Sequence, residues 1–119
     1  MATVITEQKI GGPYSAESPA ARLSTLTWTP ADTTGNSVVM STGRCLLLFR
    51  NTGASARTVA VSSSLDPYGR KADIPATNIA AGAMLGRIFE ARGWEQTLGG
   101  KNLSFTCNHA EVEVAAIAL

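Results

Sequence analysis

The sequence predicts an all-β protein, an antiparallel β-sandwich or barrel with an extended N-terminal arm. The chain has 119 residues, which fits one domain. Short runs of strand-like composition are separated by turn-forming residues about every 8–12 positions, as in sandwiches. No long run has the spacing of an amphipathic helix. We assign residues 1–22 to the arm and residues 23–119 to the sandwich.

The arm differs in composition from the rest of the chain. Gly11-Gly12-Pro13 and Pro19 break any long regular element. We expect the arm to be extended and held either by its own sheet or by a neighbouring subunit. Because it lacks a core of its own in this interpretation, its deletion should leave a folded sandwich that no longer attaches to its partner. Its candidate partner-binding side chains are Val4, Ile5, Ile10 and Tyr14.

The sandwich begins with two short predicted strands. Residues 23–29 fit the first, with Leu26 and Trp28 on one face by the period of two. Residues 37–41 fit the second, after turn residues that end at Asn36.

The stretch from Arg44 to Ser64 is the predicted centre of the core. It joins the apolar run Cys45–Phe49 to the β-branched run Thr58–Ser62 through small turn-forming residues. We interpret it as a β-hairpin. Four of its side chains are expected to be among the most buried in the protein: Leu46, Leu48, Val59 and Val61.

Later runs predict further strands. Residues 74–79 are expected to be extended, because a residue before proline avoids the helical region. Residues 84–90 fit either a short helix or a strand bulged at Gly86, and we favour the strand since an internal glycine weakens so short a helix. Residues 103–107 alternate, with Leu103, Phe105 and Cys107 pointing inward.

The last run, residues 111–119, alternates and then becomes wholly apolar. Val112 and Val114 are expected to point inward. So apolar an end is expected to pair in the middle of a sheet rather than fray into water.

Composition argues against several classes of partner. The formal net charge is +1 without a basic block, so we expect no nucleic-acid binding. No apolar stretch approaches the length of a membrane helix, and the first residues do not resemble a signal peptide, so we expect no membrane association. Cys45 and Cys107 lie in apolar runs and are expected to be buried, reduced thiols.

The sequence offers no catalytic constellation, and we predict that the protein is not an enzyme and uses no cofactor. His109 is the only histidine and falls in a predicted turn. Its spacing from Cys107 does not suit a zinc site. Asp66 and Asp73 could share a calcium ion across one loop, but their neighbours lack the alternating ligands of a calcium loop, which favours two solvated turn residues.

Two loops are weak candidate contact surfaces. One carries Tyr68 and Arg70, within a turn formed by Pro67 and Gly69. The other carries Arg87, Arg92 and Trp94, which combine the arginine and tryptophan typical of protein interfaces. A plain surface loop is the better single interpretation of each.

From Gly43 onward the chain resembles the small head decoration, or cement, proteins of tailed bacteriophages. The resemblance rests on LLLFRNTGASARTVAVSSS, the Asp-Pro-Tyr-Gly-Arg turn, the Ile79–Gly82 turn before Phe89, and LSFTCNHAEVEVAAIAL. It is a pattern of strand and turn types over about the last two-thirds of the chain.

This resemblance implies a jelly-roll or immunoglobulin-like sandwich assembled in the host cytoplasm and placed on the capsid surface of the virion. It implies the major capsid protein as partner and a homo-oligomer, a dimer or trimer. Two alternatives stay open: a head–tail joining or tail protein of a phage, and a carbohydrate-binding or adhesion module.

Overall fold

A computed structural model of the chain describes residues 3–10, 25–63, 73–96 and 101–119. These residues form ten strands and one helical turn. The elements are β1 (Thr3–Ile5), β2 (Glu7–Gln8), β3 (Thr29–Pro30), β4 (Asn36–Val39), β5 (Arg44–Asn51), β6 (Arg57–Ser62), β7 (Ile74–Ile79), β8 (Met84–Glu90), α1 (Ala91–Trp94), β9 (Asn102–Cys107) and β10 (Val112–Ala118).

The strands form two five-stranded sheets. Sheet I has the order β1-β4-β9-β6-β7, and sheet II has the order β2-β10-β5-β8 with β3 also paired to β10. The predicted all-β sandwich is confirmed. Both sheets are mixed, however, because β1 runs parallel to β4 and β2 runs parallel to β10, while every other described pairing is antiparallel.

The core lies between the sheets and follows the alternation of the strands. Leu103, Phe105 and Cys107 point inward from β9, as predicted, and are almost fully buried. The rings of Phe49 in sheet II and Phe105 in sheet I meet edge to face, with centroids 5.3 Å apart. This geometry suits the ring quadrupoles and joins the two layers at their centre.

The last strand, β10, lies in the interior of sheet II, as expected. β10 pairs with β5 on one side and with β2 and β3 on the other. Val112 and Val114 are fully buried in the core.

The predicted hairpin between Arg44 and Ser64 is wrong. β5 pairs with β8 and β10 in sheet II, whereas β6 pairs with β7 and β9 in sheet I. The chain therefore crosses from one layer to the other after Asn51. Turn-forming residues between two apolar runs allow this crossing as readily as a hairpin, because they only reverse the chain.

Asn51 holds the crossing in place. It is 2% exposed, and its side-chain amide donates to the carbonyl oxygens of Ser55 and Ile79, at 2.7 and 2.9 Å. Its Oδ1 accepts a hydrogen bond from the backbone N–H of Gly53 at 2.9 Å. One buried side chain thus binds two backbone groups of the crossing, at Gly53 and Ser55, and joins them to the end of β7 at Ile79.

The burial of β5 differs by one residue from the prediction. Cys45, Leu47 and Phe49 are the core residues, whereas Leu46 and Leu48 are half-buried on the other face. Val59 and Val61 are buried as predicted.

Some strand boundaries also differ. The predicted strand at residues 23–29 is reduced to β3, because residues 25–28 form no strand and residues 23–24 lie outside the described part. The predicted strands at 37–41, 74–79, 84–90 and 103–107 correspond to β4, β7, β8 and β9. The register between β5 and β8 is unbroken, so the alternative of a bulge at Gly86 is wrong.

The described start of the chain contributes to both sheets. β1 extends sheet I and β2 extends sheet II, and Ile5 at the end of β1 is a 3% exposed core residue. Deleting this segment would remove a core side chain and one strand from each sheet, contrary to the expectation of an arm without core contacts. The proposed boundary at residue 22 stays a prediction.

Polar contacts also fix this segment. The hydroxyl of Thr3 donates to Oδ2 of Asp32 at 3.2 Å. Oδ1 of Asp32 accepts hydrogen bonds from the backbone N–H and the hydroxyl of Thr34, at 2.9 and 2.7 Å. The Thr34 contacts, the backbone one first, hold the pKa of Asp32 below its usual value.

Replacement of the buried Ile5 should destabilise the sandwich. We expect Ile5→Ala to lower the free energy of unfolding by about 2–5 kcal/mol, because it removes a core side chain and leaves a cavity. The matched control is Val4→Ala, since Val4 is 66% exposed on the same strand. Urea unfolding measures both. Equal, small effects of the two variants would mean that β1 is not part of the core.

Loss of the Asn51 amide should also be costly. Asn51→Ala is expected to lower the free energy of unfolding by about 1–3 kcal/mol, because the buried carbonyl of Ile79 and the part-buried carbonyl of Ser55 lose their donor. Asn78→Ala is the control, because Asn78 is exposed on β7. A urea midpoint for Asn51→Ala equal to that of the control would contradict the assigned role.

The Asp32 contacts predict a pH dependence. A depressed pKa in the folded state adds stability above the unfolded pKa, and this stability is lost as the pH falls through the folded pKa. The stability difference between wild type and Asp32→Ala should therefore be largest near neutral pH and shrink in acid. Asp32→Asn retains an acceptor for Thr34 and removes the titration. Urea unfolding between neutral and acid pH tests the prediction. A stability difference between wild type and Asp32→Ala that does not change with pH would contradict it.

Candidate interaction surface

The outer face of sheet II is apolar. Cys45, Leu47 and Phe49 point into the core, so alternate residues of β5 point outward. Residues directly opposite on neighbouring strands share a face. The register therefore aligns Ile88, Leu46 and Ile117 in one outward row, and Gly86, Leu48 and Ala115 in the next.

Exposure across this face rises toward the β8 edge. Ile117 and Ala115 on β10 are buried, whereas Leu46 and Leu48 on β5 are half-buried. On β8, Met84 is 57% exposed and Ile88 is 52% exposed. We call the outward-facing part of β5 and β8 the apolar face, defined by Leu46, Leu48, Met84, Gly86 and Ile88.

Ion pairs border the apolar face at both ends. At one end, Arg44 Nε lies 3.4 Å from Glu90 Oε1, and both side chains are more than half exposed. At the other end, Arg50 Nη2 lies 2.6 Å from Glu113 Oε1. The Arg50 guanidinium also lies 4.2 Å from the ring centroid of Trp28. An apolar centre with a polar rim is the usual anatomy of a protein interface.

Gly86 shapes the middle of this face. A β-carbon there would lie 2.6 Å from Cδ2 of Leu48, so the Leu48 side chain leans across β8 into the space that the glycine leaves. This close approach explains the glycine within the strand. Leu48 therefore extends the apolar surface from β5 onto β8.

The outer face of sheet I is different in character. Its register aligns Ser37, Ser104 and Ser62 in a row of hydroxyls, and places Thr106 beside Ala60 in the next row. Val39, which is 52% exposed at the end of β4, and Val4, which is 66% exposed and aligned with Ser37, are apolar exceptions on this face. The outer face of sheet I thus mixes hydroxyls with separate valines, whereas that of sheet II carries neighbouring leucine and isoleucine side chains.

Arg87 and Trp94 are brought together, as their proximity in sequence indicated. The Arg87 guanidinium lies 5.4 Å from the Trp94 ring centroid and 5.8 Å from that of Phe89. The Trp94 ring meets the buried Phe89 ring edge to face, at 4.9 Å. Trp94 is thus half-buried at the core edge, and Arg92 is exposed in the turn after β8.

The arm candidates divide between surface and core. Val4 and Ile10 are exposed, at 66% and 47%, and remain candidate contacts. Ile5 is buried and presents no surface to a partner, which corrects its inclusion as a partner-binding residue. Val4 also lines an open cleft of about 340 Å³ between β1, β2 and residues 27–29, and none of the described side chains that line this cleft is charged. Tyr14, Tyr68 and Arg70 lie outside the described residues.

In the part of the chain that the structure describes, the potentially reactive groups are scattered or buried. Cys45 and Cys107 are free and buried. Burial raises the pKa of each thiol to about 12, with the Glu7 carboxylate adding to the effect at Cys45. His109 Nδ1 accepts a hydrogen bond from the backbone N–H of Glu111 at 3.0 Å. Within the described ranges, no three potential metal-binding side chains cluster.

Sequence reasoning did not identify the apolar face. It treated Leu46 and Leu48 as core and did not single out Met84 or Ile88. A signal was present, because the unbroken run Cys45–Phe49 requires apolar side chains on both faces of the strand. Sequence alone does not determine which face is the inner one.

Comparison with known proteins adds no relative. No family model, no curated protein and no solved structure matches the chain. In the part of the chain that the structure describes, no helix has the length and apolar character needed to cross a membrane.

Proposed function

We propose that this chain is a non-enzymatic structural protein of a tailed-phage virion, a decoration protein that binds the outside of the head. Its partner is the major capsid protein, and it acts as a homo-oligomer, a dimer or trimer. It is made in the host cytoplasm and ends on the capsid surface. Its role is to stabilise contacts between capsid subunits.

The observation that carries this proposal is the apolar face, where four large apolar side chains lie together on two neighbouring strands. Single exposed apolar residues are normal on a folded surface, whereas a contiguous apolar patch commonly marks a protein contact. Met84 and Ile88 are more than half exposed beside Leu46 and Leu48. Such a face suits a protein whose work is to assemble with other protein subunits.

The resemblance in strand and turn pattern, described from the sequence, supports the more specific assignment to a phage head. A compact two-layer domain suits that role, because many copies can each add a modest contact to a large total by avidity. The near-neutral net charge of +1 agrees with a partner that is protein.

Binding to heads assembled without this protein tests the proposal. Fluorescently labelled full-length protein is mixed with such heads and sedimented, and the bound copies per head are counted. We expect saturable binding at many sites distributed over the shell. Ile88→Asp should raise the apparent Kd for heads about tenfold, equivalent to about 1.4 kcal/mol, because a charge then interrupts the apolar face through which the copies assemble.

Val39→Asp is the matched control, because Val39 has the same exposure on the other sheet. It should bind as the wild type does. Binding of a few copies at one vertex would instead support a head–tail joining protein. Absence of binding to the heads by the wild-type protein would overturn the proposal.

A further inference from the structure

We infer that the apolar face binds a second copy of this chain, in a dimer whose two-fold axis runs parallel to the strands midway between β5 and β8. The inference rests on the proposed role of this face as an assembly surface and names its occupant. In this arrangement the two sheets pack face to face, and each β8 lies over the partner's β5.

The register between β5 and β8 fixes which residues would meet. Arg44 pairs with Glu90, Leu46 with Ile88 and Leu48 with Gly86 within one chain. Rotation about an axis midway between the strands exchanges the positions of β5 and β8 without shifting them along their length. Each residue of β5 therefore faces the partner copy of its own cross-strand neighbour.

Charge complementarity selects this axis. It places Arg44 opposite the partner's Glu90, and Glu90 opposite the partner's Arg44, which gives two attractive contacts at exposed positions. An axis along β5 itself would place Arg44 on Arg44. An in-plane axis perpendicular to the strands would place Arg44 on Arg50. Both of these alternatives bring like charges together, which costs free energy at an interface.

Shape and polarity agree with the same axis. Ile88, which is 52% exposed, would meet the partner's Leu46, which is half-buried in the monomer. Leu48 leans over its own Gly86, toward the axis, so the two Leu48 side chains would meet where the axis passes. A separation of about 10 Å between packed sheets leaves room for these side chains to interdigitate.

The size of the face indicates a weak dimer. Seven paired residues on two strands present an area roughly 24 Å by 10 Å. This is smaller than the roughly 800 Å² that each partner buries in a standard stable interface. The dimer should therefore depend on protein concentration and be favoured where many copies are held close together.

Sedimentation of the full-length protein in solution, without heads, tests the inference. We expect a monomer–dimer equilibrium at concentrations up to about 1 mM. Arg44→Glu and Glu90→Arg should each raise the dimer Kd about tenfold, because each turns two attractive contacts into repulsive ones. A one-to-one mixture of the two variants should recover the wild-type Kd, since the acidic edge of one variant then meets the basic edge of the other.

The mixing experiment distinguishes charge contacts between two chains from charge contacts within one chain. Each variant also loses its own pairing of Arg44 with Glu90, and mixing does not restore that pairing. Lys101→Glu is the control for Arg44→Glu, because it also replaces a positive charge by a negative one, at an exposed position beside sheet I. It should leave the Kd unchanged.

Three results would overturn the inference: a wild-type protein that stays monomeric throughout, single variants that dimerise as the wild type does, or a mixture no better than its components. Circular dichroism verifies that each variant is folded. If a charge variant is unfolded, Ile88→Asp against Val39→Asp decides, because only the former should weaken the dimer. A protein that dimerises in solution but does not bind heads would overturn the proposed function. A protein that binds heads but stays monomeric in solution would overturn the inferred dimer.

Discussion

β5 carries apolar side chains on both of its faces, and the rest of the structure depends on how those two faces are covered. Cys45, Leu47 and Phe49 form the centre of the core against sheet I. Leu46 and Leu48 point away from it, onto the outer face of sheet II, which is buried at β10 and exposed at β8. A strand of this composition makes a strong core and also places apolar side chains on the outer face. The first property explains the fold, and the second is the basis of the proposed assembly.

The second constraint is the change of layer after β5. The chain leaves sheet II at Asn51, and that side chain binds two backbone groups along the crossing and one at the end of β7. At the opposite side of the sandwich, the segment around Ile5 joins the two layers by giving a strand to each. The two sheets are thus held together by the core between them, by the hydrogen bonds of Asn51 on one side and by the segment around Ile5 on the other. None of these contacts lies on the apolar face, so that face is available for contact with another protein.

Much of the fold follows from the sequence, because the period of two is clear wherever one face is polar. Leu103, Phe105 and Cys107 are separated by polar residues, and their inward direction was predictable. The same reasoning fails on β5, because a run with two apolar faces contains no signal that distinguishes inside from outside. It fails again at the crossing, since pairing partners distant in sequence determine whether a turn joins strands of one sheet or of two. The proximity of Arg87 and Trp94 followed from their local spacing, whereas Ile88 and Leu46 are brought together only by the register.

The most direct test of the account is a methyl NMR concentration series on the full-length protein. If the apolar face is the surface on which copies associate, resonances of Leu46, Leu48, Met84 and Ile88 should shift as concentration rises, with one common Kd. The resonances of the exposed methyl groups of Val4 and Val39 in sheet I should not shift with concentration. Shifts confined to Val4 and Val39, or no shifts on the apolar face at any concentration, would contradict the assignment of that face to assembly.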